Sequence, residues 1–416
     1  MLRKLNAYRE ILNENQAIIA NRDTGAWIKI SRECRNIICD ACCQSMSRDE
    51  LLSQLADDED REYIKTLIFK MKELEVISEA EEKNHDLDVI YLLVTNRCNL
   101  KCTHCCADAV DKSSEVFKQE MDIDELKSAI DKIINANPNG IAITGGEPMV
   151  RKDFFEFLGY LRKNYRGKIA LATNATLITK ENASLLVKLI DKFDISVDGI
   201  DEDTCSKVRG KGVFGKVINA IDVLQKNGAT EISLSMTFGT SNYHLRQAFL
   251  KLNEKLGTIP IVRIFMPKGR GEKSQKNFNL NIENNPKTEF TQEEIKEARK
   301  SLRIITCGAG IGEFVINYDG WIYPCPNMIT DKYRLIHIRE INDLKNMADA
   351  LSSKKEVALN NLMKIQPENF EACKGCKVNL FCWSCLEDLE IKSKDSRGFQ
   401  KRCEIQKKIL YPLLWN

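Results

Sequence analysis

The chain has no apolar run of the roughly 18 residues that a membrane-spanning helix needs, and its first ten residues lack the apolar core of a signal peptide. A cytoplasmic location without membrane contact is expected. Charge of one sign is also missing. Lys and Arg number 62 against 60 Asp and Glu, a formal net charge of +2, so nothing points to nucleic acid as the main partner. There are only four histidines, and of these only His104 falls in a motif; His85, His244 and His337 read as surface or packing residues. Cysteine, by contrast, is plentiful, with 16 in 416 residues. A reducing compartment leaves thiols free as ligands, so this number points to metal rather than to disulfides. The length allows two or three domains, because single cores stop growing near 250 to 300 residues.

Three of the cysteines form the run Cys98-x3-Cys102-x2-Cys105, just past an apolar strand over 89–95. Thiolates are preferred donors for iron–sulfur sites, and these gaps let one loop wrap a single cube. Three ligands on four irons leave one iron open. Zinc is the rival reading, but it normally takes four ligands, and His104 sits between two of the cysteines, where it cannot easily face the same ion. The spacing resembles that of the radical S-adenosylmethionine (SAM) enzymes. The resemblance implies that the open iron of a [4Fe-4S] cluster chelates SAM, and that an electron from the cluster cleaves it to a 5′-deoxyadenosyl radical.

From about residue 89 to 300, short apolar runs alternate with amphipathic stretches, which predicts an α/β fold with a parallel sheet. Six strands, over 89–95, 140–144, 168–173, 193–197, 231–238 and 261–266, predict a partial (β/α)6 TIM barrel with its chemistry at the C-terminal strand ends. Asp122-x-x-Glu125 reads as a helix start, with Leu126, Ile130, Ile133 and Ile134 on one apolar face. The second strand ends in Gly145-Gly146-Glu147-Pro148, where two glycines let backbone approach a ligand and a carboxylate can accept from an ammonium. Taken alone these four residues also read as a plain turn. The family resemblance makes them the SAM amino-group motif and adds several contacts. Asn174 follows the third strand, with Ala175 where relatives carry Gly. Ser196 and Asp198 resemble a ribose-binding Ser-x-Asp-Gly, Arg209 is a partner for the SAM carboxylate, and His104 lies beside SAM. A solvated surface arginine is the alternative for Arg209. Pro267-Lys268-Gly269-Arg270 has family parallels without a derivable role. The polar stretch 271–290 reads as a solvated loop or as a lid.

Seven cysteines return near the C-terminus: Cys307, Cys325, Cys373, Cys376, Cys382, Cys385 and Cys403. Two such pairs would suit a zinc ribbon. Their full order resembles the SPASM domain, which carries auxiliary [4Fe-4S] clusters in radical SAM enzymes acting on peptides and proteins. The resemblance implies two auxiliary clusters, making three in all. Cys373, Cys376, Cys382 and Cys403 hold the outer one, and Cys307, Cys325 and Cys385 the inner one. Two residues separate Cys385 from Cys382 where relatives have three. The inner set is one thiolate short, a place for Glu313, Asp319, another oxygen donor or a substrate thiolate. Pro326 replaces the aspartate typical of sulfatase maturases, which counts against that activity.

The first 85 residues read as a β-hairpin over 16–21 and 26–30, then three helices and a short strand at 76–77. This winged-helix-like arrangement resembles the PqqD-like recognition element of peptide-modifying enzymes, in which a leader peptide adds as a strand to the hairpin edge; a DNA-binding wing is the alternative. Cys34, Cys39, Cys42 and Cys43 read as packing on the first helix, and Cys106 as non-ligating. The domains expected are 1–85, recognition; 86–300, radical SAM core; and 301–416, SPASM. Together they imply a maturase that crosslinks a ribosomally made precursor peptide, first by a Cys thioether. Carbon–carbon crosslinking, modification of a folded protein and an iron–sulfur DNA regulator are the alternatives. The electron donor implied is a flavodoxin or ferredoxin. No residue is assigned as general base.

Overall fold

A computed structural model describes residues 1–80, 87–274, 289–342, 344, 353–383 and 385–416. The chain forms two compact units rather than three consecutive segments. One joins Met1–His85, Ile282–Gly308 and Asn361–Asn416; the other joins Asp86–Asn281 and Ala309–Asn360.

The first unit opens with strands β1 (Arg3–Lys4), β2 (Tyr8–Asn13), β3 (Gln16–Asn21) and β4 (Trp27–Ser31), then helices α1 (Arg32–Cys43), α2 (Arg48–Ser53) and α3 (Asp58–Glu73), and returns in β5 (Ile77–Ser78). The hairpin expected from sequence is present, but β2 joins it to make a three-stranded antiparallel sheet in the order β2-β3-β4, and β5 pairs with β1. Local chemistry sets the helix starts. Ser31 caps α1 by accepting from the Cys34 N–H, and Ser47 and Glu50 close a capping box on α2. Ile64, Leu67, Ile68 and Met71 of α3 are buried at helical spacing. On α1, Cys39 is buried while Cys43 is exposed, so the packing expected of the four cysteines does not extend to Cys43.

The second unit is the parallel sheet. Strand β6 (Val89–Leu93) leads to β7 (Arg97–Cys98) and β8 (Val110–Asp111). Strands β9 (Gly140–Thr144), β10 (Lys168–Thr173), β11 (Lys192–Ser196), β12 (Glu231–Phe238) and β13 (Ile259–Ile264) follow. Between them run α4 (Ile123–Ala136), α5 (Phe154–Asn164), α6 (Lys180–Leu189), α7 (Glu202–Arg209), α8 (Val213–Lys226) and α9 (Arg246–Leu256). All six predicted strands are present and parallel, giving the α/β partial barrel. The last begins two residues earlier than expected and runs through Pro260, which an edge strand tolerates because one side of its backbone pairs with nothing in the sheet. α4 starts at the Asp122–Glu125 capping box and buries Leu126, Ile130 and Ile133, with Ile134 half-buried. Phe154, Phe157, Phe193 and Phe238 are fully buried in the core, each contributing about 1.5–3 kcal/mol.

Strands β14 (Glu313–Ile316) and β15 (Ile322–Tyr323) extend this sheet, β14 lying parallel to β6. A tight turn joins them, with Gly320 at φ 82° and Asp319 accepting from the Asn317 amide and the Trp321 N–H. This pairing explains why residues 309–360 belong with the barrel and not with the segment expected from 301 on. No helix among the described residues is long and apolar enough to cross a membrane. The stretch read as loop or lid lies mostly outside the described residues.

Candidate active site at the strand ends

The triad loop leaves β6 at the carboxyl end of the sheet and is held from several sides. Val94 N–H donates to Thr144 O (3.0 Å), Gly146 N–H to Thr95 O (2.7 Å) and Glu147 N–H to Arg97 O (2.9 Å). The loop after β9 is thus zipped to the chain entering the triad. That contact by itself requires the two glycines. A Cβ on Gly145 would lie 2.2 Å from Thr95 O, and one on Gly146 2.3 Å from Arg97 O.

Glu147 turns inward and is fully buried. It accepts from the Thr173 hydroxyl (2.8 Å), the Asn174 N–H (2.8 Å) and the Met149 N–H (3.2 Å). Burial pushes its carboxyl up, against these donors and Arg209. Pro148, also buried, starts a short 3-10 turn that Glu147 caps. Asn174 donates to Asn99 Oδ1 (2.9 Å) and points its amide at Cys98 Sγ (3.8 Å). Ala175 is at φ 59°, the left-handed geometry that the glycine of relatives would adopt without strain.

After β11 the chain places Asp198 at φ 51°, buried. α7 is capped by Asp201 and stops at Gly210, which puts Arg209, its last residue, over Asp198. The guanidinium meets Asp198 Oδ2 through Nη2 (2.5 Å) and Nε (2.7 Å) and points Nη1 at Cys102 Sγ (3.8 Å). His104 Nε2 lies 2.8 Å from the same carboxylate oxygen, and the Thr237 N–H donates to the other (2.6 Å). Burial alone would raise the Asp198 carboxyl, but the Arg209 charge, His104 and the Thr237 N–H outweigh it and hold the group well below the usual carboxylate range. Arg209, its side chain 10% exposed, is therefore the ion-pair partner of buried Asp198 and not the solvated arginine of the alternative reading. Ser196 meets Ser235 Oγ at 3.2 Å.

Sequence reasoning missed two supports of this loop. Arg97 pairs with Glu120 (2.8 Å), while buried Arg151 donates to Val94 O (2.9 Å) and pairs with Asp153 (2.7 Å). At the end of β13, the segment without a derivable role turns out to clamp the triad. The Arg270 N–H donates to Cys105 O (3.0 Å) and its Nε to Cys102 O (3.1 Å). Gly269, at φ 57°, leaves room for the Cys105 and Cys106 carbonyls, each 2.7 Å from where its Cβ would stand. The glycine and arginine of that motif were visible; only folding brings them to the cysteines.

Among the described residues no three His, Cys, Asp or Glu side chains are gathered at metal-binding distance. The donor set nonetheless suits an anionic iron–sulfur cube. Cys98 and Cys102 are buried, the Leu100 N–H donates to Cys98 Sγ and the Ala109 N–H to Cys105 Sγ (both 3.4 Å), and Arg209 and Asn174 direct donors at two of the sulfurs. Burial pushes the Cys98 thiol up to about 11, so ligation there releases a proton. Cys106 is exposed, and Cys205 is buried with its thiol on Val197 O (3.0 Å), a packing role. His337 packs on Trp321 and meets Asp319 O (2.9 Å); His244 is exposed.

In the other unit, Cys373 and Cys382 are buried and Cys376 and Cys403 half-buried. Burial first, then the nearby Cys382, Cys403 and Cys376, push the Cys373 thiol up to about 12. Arg402 donates to Cys382 Sγ (3.2 Å) and lies 3.6 Å over the Trp383 ring. Cys307 and Cys385 belong to this unit, and Cys325 to the barrel unit.

Comparison with known proteins agrees with this geometry. The mycofactocin maturase MftC of Mycolicibacterium smegmatis is 27% identical over 309 residues, 68% of this chain and 74% of that protein. The Fe-coproporphyrin III synthase of Methanosarcina barkeri is 34% identical over 189 residues, 44% of this chain; the chain spans about half of that relative (46%). Among solved structures, anSMEcpe with bound AdoMet matches with a TM-score of 0.55 at 20% identity, over 78% of this chain and 97% of that one. Streptococcus suis SuiB bound to S-adenosylmethionine matches at 0.50 and 14% identity, over 92% and 95%. At these identities the structures establish a shared fold. Residues 92–252, within the barrel unit, match the family model of the radical SAM superfamily, a family that implies SAM and a [4Fe-4S] cluster.

Proposed function

We propose that the chain is a radical SAM maturase that installs oxidative crosslinks in a ribosomally made precursor peptide, first of all Cys thioethers. One observation carries the reading: a second cysteine set, with Cys376, Cys382 and Cys403 in electrostatic reach of Cys373, shares a compact unit with the N-terminal sheet and helices. A bare SAM-cleaving barrel needs neither. Relatives support a peptide substrate. MftC is named a maturase, SuiB has been solved with the precursor peptide SuiA, and anSMEcpe with the Cp18Cys peptide. The haem-related synthases match over less than half of this chain, which speaks for a common core more than for a common substrate.

In this reading Cys98, Cys102 and Cys105 hold the SAM-binding cluster, and His104, Gly145 to Pro148, Asn174, Ser196, Asp198 and Arg209 frame the SAM site. Bound there, cluster and SAM supply hydrogen-abstracting radical chemistry. Arg209 and Asn174 offset thiolate charge, the Asp198 pair fixes Arg209, and Arg270 fixes the loop. Cys373, Cys376, Cys382 and Cys403 hold one auxiliary cluster, and Cys307, Cys325 and Cys385 another. The first 85 residues grip the leader, with a flavodoxin or ferredoxin as reductant.

Each thioether removes one C–H and one S–H hydrogen. Anaerobic co-expression with the small cysteine-containing peptide encoded nearest to this chain should therefore yield peptide lighter by two hydrogens per crosslink, with one alkylatable thiol lost each time. The same mass loss with every thiol still alkylatable would replace the thioether by a carbon–carbon or other oxidative crosslink.

A further inference from the structure

Arg22 stands in the turn between β3 and β4, and its side chain is 9% exposed. Among the described residues its Nε has no hydrogen-bond partner, and its one recorded side-chain bond is a long donation from Nη2 to Cys307 O, 3.5 Å. The charges that reach it are Arg9, which repels, and Cys307, Asp23 and Glu368, which attract. Glu368 is already taken by Arg9 at 2.5 Å, and Asp23 is exposed. A buried guanidinium is costly without a desolvated counter-charge. The group left to supply one is at Cys307.

The turn is not free to swing the charge into water. Asn21 Oδ1 accepts the N–H groups of Asp23 (2.7 Å) and Thr24 (2.9 Å), and the Arg22 N–H donates to Ala7 O (2.8 Å). The hairpin is tied to the segment entering Cys307: the Ile304 N–H donates to Gly25 O (3.0 Å) and Trp27 Nε1 to Leu302 O (2.9 Å). The Ile305 N–H in turn donates to Leu380 O (2.7 Å), two residues before Cys382.

We infer that Arg22 is the counter-ion of an anionic iron–sulfur cluster ligated at Cys307, so that the N-terminal domain supplies a charge to an auxiliary centre. The inference rests on the auxiliary-cluster reading above. Reduction adds negative charge to a cluster, so a buried cation beside it stabilises the reduced form and raises its potential. Arg22 is a tuning residue and touches no substrate.

The test uses the full chain reconstituted anaerobically, with iron counted and each cluster titrated by electron paramagnetic resonance, in wild type, Arg22→Lys and Arg22→Gln. Arg22→Gln should keep its iron and shift one cluster alone to lower potential, a roughly tenfold loss in the reduction equilibrium, or about 59 mV for one electron; Arg22→Lys should keep most of the wild-type value. Unchanged potentials in an iron-replete Gln variant overturn the inference and leave the auxiliary clusters standing. Iron near four atoms per chain in wild type overturns both. If Arg22→Gln loses iron, the cluster-free proteins decide. Removing an uncompensated buried charge should leave their melting temperature equal or higher, whereas a lower one makes Arg22 a packing residue and overturns the inference.

Discussion

Gly146→Ala should abolish iron binding at the triad, and with it SAM cleavage, even if the barrel still folds. The new methyl would stand 2.3 Å from Arg97 O and 2.7 Å from its carbonyl carbon, both backbone atoms of the residue before Cys98. A clash with the tip of a side chain is relieved by a rotamer change; this one moves the triad loop itself. Overpacking in a tight interior costs about 1–3 kcal/mol where neighbours can shift. Here Arg97 is held by Glu120 and the entering strand by Arg151, so the displacement falls on the cysteines. Iron content and the cluster's visible absorption after anaerobic reconstitution measure the effect, with circular dichroism reporting the fold. Gly159→Ala, which meets nothing within 4 Å, is the matched control and should bind iron normally.

Asp198→Asn should destabilise the chain by about 3–5 kcal/mol at neutral pH, the cost of leaving one partner of a buried ion pair alone. Asn fits the left-handed backbone at this position, so the change isolates the charge. The folded-state pKa of Asp198 is depressed, chiefly by Arg209 against the opposing effect of burial. Its contribution is thus present above the unfolded value near 3.9 and fades as pH falls below it toward the folded value. Urea unfolding at pH 7 and at successively lower pH should show the wild-type advantage shrinking only below about pH 4. An advantage constant across that range would deny the ion pair its role.

What could be read from the sequence was local. The six parallel strands and the capping box at Asp122–Glu125 depend on residues within a few positions of one another, and they stand where the pattern put them. The triad and the residues following each strand were legible for the same reason. What escaped was set by pairing across the fold. The inward turn of Glu147 depends on Thr173 and Asn174 one strand away, and the Arg270 clamp on carbonyls more than 160 residues distant. The attachment of β14 to β6 joins segments over 200 residues apart and places residues 309–360 with the barrel unit. β2, whose Tyr8–Asn13 run mixes charge with apolar residues, is recruited by its neighbour β3 rather than announced by its own sequence.

The most direct measurement is 5′-deoxyadenosine formation by the anaerobically reconstituted full chain under a chemical reductant, with and without the precursor peptide carrying its leader. The peptide should raise formation severalfold, in step with loss of two hydrogens per crosslink, and a peptide cut free of its leader should lose most of that gain. The triad variant Cys102→Ala should form none. Formation indifferent to the peptide, or a core peptide modified equally well without its leader, would contradict a leader-guided peptide maturase and leave a SAM-cleaving barrel acting on another substrate.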